Sequence, residues 1–191
     1  MKKKILYIAA ILICLSIITG GTLAYYTASD TVRNVIASGG VEVRVIEQQL
    51  VNGSLQPYPN QPILVMPATT VSKIVSVQSI EQAAWVRMNY TITICDADGK
   101  NMEIPTDELA KVIVIEPDDT AWTLENGWWY YNTAVKAGET TDPLFDTVAF
   151  SGPEMGNEYQ NCTVEILVTA QAVQQANNGN TVIDAVGWLE E

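Results

Sequence analysis

The alternation Val86, Met88, Tyr90, Ile92, Ile94 against Arg87, Asn89, Thr91, Thr93 constrains this chain more than any other feature, because a period of two puts every apolar side chain of a strand on one face. The pattern recurs. Val41, Val43 and Val45 alternate with Glu42 and Arg44, and Val164, Ile166, Val168 and Ala170 alternate with Thr163, Glu165 and Thr169. Val71, Lys73, Val75 and Val77 alternate less cleanly with Ile74, Ser76 and Gln78, a lysine standing in the apolar row. Residues 144–150 form a shorter candidate, and the continuous apolar run 112–115 predicts a strand covered on both faces.

Turn chemistry separates these runs. Asp98-Gly99 and Asn126-Gly127 favour the positive φ angles of tight hairpins. Asn52-Gly53, followed by Pro57, Pro59 and Pro62, predicts an irregular loop of about ten residues. Many short strands with little helical periodicity predict an all-β, antiparallel sandwich. Only the end differs: Val182, Ile183, Val186 and Leu189 recur at helical spacing behind Thr181-x-x-Asp184, which predicts a short C-terminal helix.

Residues 1–24 read as an export signal with its own helix. Lys2, Lys3 and Lys4 make a positive start, residues 5–18 are almost unbroken apolar, and Thr22-Leu23-Ala24 puts small residues at −3 and −1, predicting cleavage between Ala24 and Tyr25. The run is short for a membrane span, so contact with the membrane is expected only through the uncleaved signal, and the signal peptidase is a transient partner. Cleavage takes three positive charges from a chain of net charge −12, leaving −15. Such a product is soluble, repels its own copies at low ionic strength, and associates more readily when salt screens it.

Composition excludes several chemistries. With no histidine, Ser-His-Asp and Cys-His catalysis and His-ligated zinc are ruled out, and the acidic charge excludes a basic nucleic-acid face. No catalytic residue and no cofactor is expected. Asp96 and Asp98 alternate like calcium ligands, but Lys100 and Asp107 stand where an EF-hand needs a third ligand and a bidentate Glu, so a hairpin turn is the plainer reading. Asp118-Asp119 reads the same way. Asp107-Glu108 on a loop does not oppose two carboxyls across a cleft. The run Trp128-Trp129-Tyr130-Tyr131 offers either a glycan platform or a hairpin with Trp128 and Tyr130 on one face and Trp129 and Tyr131 on the other. Cys95 and Cys162 either pair in an oxidising compartment or sit as two packed thiols.

The stretch Gly20-Gly21-Thr22-Leu23-Ala24-Tyr25-Tyr26-Thr27 behind its lysines resembles the export signals processed by the SipW-type signal peptidase of Gram-positive bacteria. Asp30-Thr31-Val32-Arg33-Asn34-Val35-Ile36-Ala37-Ser38-Gly39 with the strand that follows resembles the mature start of the TasA/camelysin (CalY-like) family. Trp129-Tyr130-Tyr131-Asn132, Gly138-Glu139-Thr140-Thr141 and Ala170-Gln171-Ala172-Val173-Gln174 are similar to segments of its clostridial members. The resemblance implies a jelly-roll-like sandwich, secretion to the extracellular matrix or cell surface, and self-association into biofilm-type fibres in which one subunit's N-terminal segment adds as a strand to the next. It divides the chain into a signal (1–24), an arm (25–39) anchored by Tyr26, Val32, Val35 and Ile36, and a sandwich (40–191). The endopeptidase activity of camelysin-like members is not carried over, because zinc would find no histidine here. A secreted hydrolase and a monomeric glycan- or protein-binding surface module are the alternatives.

Overall fold

A computed structural model describes residues 26–32, 41–59 and 63–189. The predicted signal helix, the Ala24–Tyr25 cleavage point, and Val35 and Ile36 lie outside the described residues. Among the described residues eleven strands run in the order β1 (Tyr26–Val32), β2 (Val43–Val51), β3 (Ser54–Pro57), β4 (Ile63–Val65), β5 (Thr69–Ser79), β6 (Ala84–Cys95), β7 (Ile113–Val114), β8 (Trp122–Glu125), β9 (Trp128–Tyr131), β10 (Phe145–Phe150) and β11 (Thr163–Gln174). They form a six-stranded sheet, β4-β1-β11-β6-β9-β8, and a five-stranded sheet, β3-β2-β5-β10-β7. The expected all-β sandwich is what the chain adopts.

The alternation decides the layers. Val86, Met88 and Ile94 of β6 and Val164, Ile166 and Val168 of β11 are buried on the inner face of the larger sheet, where β6 and β11 pair antiparallel over their whole length. Val43 and Val45 of β2 face the same interior with Val75 and Val77 of β5. Each fully buried aliphatic side chain of this kind contributes roughly 1.5–3 kcal/mol. Tyr90 and Phe145 join the two layers, their rings 5.4 Å apart and inclined at 71°.

Three expectations are corrected. Asn52-Gly53 opens no irregular loop: both residues have positive φ, 51° and 79°, and turn β2 directly into β3. Residues 106–112 form helix α1 (Thr106–Val112) rather than a loop and strand, with Asp107 and Glu108 in its first turn and Lys111 in its last, as the helix dipole favours. The short strand begins only at Ile113.

The expected C-terminal helix does not form among the described residues. A single turn forms at residues 182–184, where Thr181 and Asp184 do make the side-chain contact of a capping box. Tertiary packing overrides the periodicity: Val182 and Ala185 are buried with Trp188 packed beside them, while Ile183 and Val186 stay exposed, and Gly187 takes φ of +90°. The segment lies as a strap on the outer face of the larger sheet, over Trp85, Trp128 and Tyr130.

Candidate functional site

Within the expected arm, residues 26–32 form a strand of the larger sheet. Residues 27–32 pair in parallel with residues 163–168 of β11, and Tyr26, Thr27 and Ala28 pair antiparallel with Val65, Leu64 and Ile63 of β4. All other strand pairings of the described residues are antiparallel. The register puts Ala28, Asp30 and Val32 beside Val164, Ile166 and Val168, the core-facing row of β11. Of the four anchors chosen from the sequence, Tyr26 and Val32 are the end residues of β1. Asp30 takes the register position beside Ile166 and was not among those anchors, which were picked for apolar character.

The opposite sheet carries a matching exception. Lys73 on β5 and Glu47 on β2 form an ion pair with Nζ and Oε2 3.1 Å apart, their side chains only 2% and 4% exposed. The Lys73 ammonium also sits 4.2 Å from the centre of the Tyr58 ring. Among the described residues, no hydrogen-bond donor apart from this ammonium meets the Glu47 carboxylate. Both charges arise from strict alternation, Lys73 in the row of Val71, Val75 and Val77, and Glu47 in that of Val43 and Val45. Burying such a pair is costly in solvation, and removing one partner leaves an uncompensated buried charge. The lysine in an apolar row was the signal available in the sequence.

The remaining candidates are scattered. Asp96 uses Oδ1 to accept from the backbone N–H groups of Asp98 and Lys100, at 3.0 and 2.9 Å, in the turn from β6 to residue 101. Asp118 accepts from Thr120 and Ala121 in the same manner, and the Thr120 hydrogen bonds hold its carboxyl below the usual range. Among the described residues no three Cys, Asp or Glu side chains gather as metal ligands. Glu108 accepts a hydrogen bond from the Tyr159 hydroxyl at 3.1 Å; burial, then this bond, pushes Tyr159 up to about 12.

The aromatic run splits as alternation requires. Trp128 and Tyr130 are each 7% exposed beneath the strap, and Trp129 and Tyr131 pack toward the core. A glycan platform would need Trp128 and Tyr130 uncovered. Cys95 and Cys162 are separate thiols: Cys95 donates to Asn101 Oδ1 at 3.2 Å, and Cys162 is buried 3.5 Å from Met102 Sδ. An apolar groove between α1 and β6 is lined by Tyr90, Ile92, Ile104, Leu109 and Ile113 and holds no carboxylate.

Compared with protein-family models, with curated proteins and with solved structures, the chain matches none of them.

Proposed function

We propose that this chain is an exported structural protein of the extracellular matrix or cell surface that assembles into fibres by strand addition, the arm of one copy filling the β1 slot of the next. The observation that carries this reading is the parallel pairing of β1 with β11. A segment held by backbone hydrogen bonds at the N-terminal end of the chain can occupy the same slot in a neighbour with every contact conserved, which is the logic of strand exchange. Exchange also needs no reactive side chain.

Covalent geometry sets the packing. Residues 33–40 join the arm to the sandwich, and eight extended residues reach at most about 29 Å. Exchanging copies therefore stack in direct contact, and the acidic charge of −12 or below makes that contact salt-dependent. Removal of a signal at Ala24 would free the arm, linking export to assembly.

The test is negative-stain microscopy and sedimentation of the processed chain at low and high salt. Salt-promoted fibres that vanish when residues 25–37 are deleted are the expected result. Fibres that persist without those residues, or a processed chain that stays monomeric at every ionic strength, would overturn the reading. Hydrolysis of casein or cell-wall glycans by such a monomer would favour the enzyme alternative.

A further inference from the structure

Part of the edge of β6 is covered by no strand among the described residues. We propose that this edge and the apolar groove beside it receive an extended segment of another protein, neutral or basic, with aliphatic side chains at every second position. The site does not involve β1 and stands whether or not copies exchange arms.

The open backbone groups follow from the ladder. β6 pairs with β11 from Ala84 to Cys95 without a break in register, whereas on its other side β9 reaches only Arg87 and Met88. In an antiparallel ladder successive residues aim their N–H and C=O groups at opposite neighbours. Ala84 exchanges both of its bonds with Val135, and the Ile94 carbonyl accepts from Met102 N–H at 2.8 Å, so the even-numbered residues of β6 aim away from β11. Tyr90 and Ile92 share that direction, and among the described residues neither makes a backbone hydrogen bond there. The N–H of Ile94 is open in the same way. Unpaired strand groups at this spacing are what an added strand satisfies.

The groove supplies the side-chain pockets. Tyr90, Ile92, Ile104, Leu109 and Ile113 line a space of about 540 Å³. A second, of about 510 Å³, continues past Ile94 and Met102 and shares Ile92, Ile104 and Leu109 with the first. Tyr90, Ile92 and Ile94 lie in the core-facing row of β6, so residues of an added strand that stand opposite them turn their side chains toward these walls. From Tyr90 to Ile94 the edge runs roughly 14 Å, room for about five residues and two or three inward side chains.

Aliphatic walls select aliphatic side chains, and the surroundings select charge. Glu103 lines the second space with Lys100, while Asp107 and Glu108 lie on α1 and Glu116 follows Ile115. Lys111 is paired with Asp107 at 3.7 Å. The balance is acidic, which favours a basic segment and disfavours a second copy of a chain whose net charge is −12.

Amide hydrogen exchange of the full chain at low ionic strength reads the site. In the free chain the amides of Tyr90, Ile92 and Ile94 should exchange at least about tenfold faster than those of Thr91 and Thr93, which aim at β11. The probe is the synthetic peptide Lys-Thr-Val-Thr-Val-Thr-Val-Lys, which should slow those three amides by about tenfold or more. Residues paired across antiparallel strands share a face, so N-methylation of the valine amides should abolish binding and N-methylation of the threonine amides should leave it unchanged. Thr106→Trp fills the groove from an exposed position and should weaken the peptide at least about tenfold without moving the unfolding midpoint. If that variant fails to fold, Ala110→Trp, also exposed on the groove, replaces it with the same expectation. A peptide that protects none of the three amides at millimolar concentration, that binds equally with its valine amides methylated, or that ignores a folded groove-filling variant overturns the proposal. So does protection of the same amides on concentrating the chain alone, which would make a second copy the occupant. Each readout is independent of residues 25–37, so loss of fibre assembly and loss of this site are separable results.

Discussion

Arg87 donates twice to one oxygen of Gln171, from Nε at 3.1 Å and from Nη2 at 2.7 Å, while its guanidinium lies 4.3 Å from the Trp128 ring. Tyr130 Oη and the Leu189 carbonyl accept its remaining bonds, and Trp188 closes over it at 4.8 Å. These partners are neutral, so the cation is held by acceptors and ring faces. Arg87→Ala should lower unfolding stability by about 2–4 kcal/mol and Arg87→Lys by about 1–2, because an ammonium lacks the planar fork. Urea denaturation of both variants checks the order.

The strap depends on Asn178. Its carbonyl accepts from Trp85 Nε1 at 2.8 Å, and its side chain both donates to and accepts from the backbone of Val186. Asn178→Ala should cost about 1–2 kcal/mol. Its tryptophan fluorescence should be more accessible to iodide than the parent's, since Trp85 and Trp128 lie beneath.

Gly127, at φ of +81°, follows Asn126 at +49° in the β8–β9 turn. A two-residue turn of this hand suits the twist of the strands it joins, and a β-branched side chain at φ above zero is strained. Gly127→Val should destabilise by about 1–3 kcal/mol, and the loss should appear in the thermal midpoint.

Tyr159 gives the chain an alkaline limit. Its folded value of about 12 exceeds the ordinary 10.0, so the folded state holds the proton more tightly than the unfolded one. The resulting stability is fully present below pH 10 and is lost as pH rises through 12. Tyr159→Phe should flatten the decline of stability across that window, as followed by denaturation at stepped pH.

Burial pushes the Cys162 thiol above the ordinary range, and Asp96 and Cys95 add to it; burial, then Glu165 and Asp96, does the same for Cys95. Both thiolates should therefore form at higher pH than a free cysteine's. Dithionitrobenzoate at pH 8 should label Cys95 slowly and leave Cys162 untouched until urea opens the core.

The layers of the sandwich were legible because alternation acts through local geometry. The rows of β6 and β11, and the division of Trp128 and Tyr130 from Trp129 and Tyr131, follow from side-chain period alone. Turns were partly legible. Asn126-Gly127 declared itself, whereas the prolines after Asn52-Gly53 masked a hairpin, since Pro57 is tolerated at the end of an edge strand. Helix α1 went unread because seven residues give too short a window for a 3.6 period.

What the sequence determined by itself is which residues turn inward, including the misfit Lys73, because that depends only on parity along a strand. The tertiary structure alone decided that Lys73 meets Glu47, that β1 runs parallel to β11, and that residues 182–189 fold down as a strap. Each of those joins segments far apart in the chain, and the free energy that selects them comes from burying surfaces neither segment can bury alone.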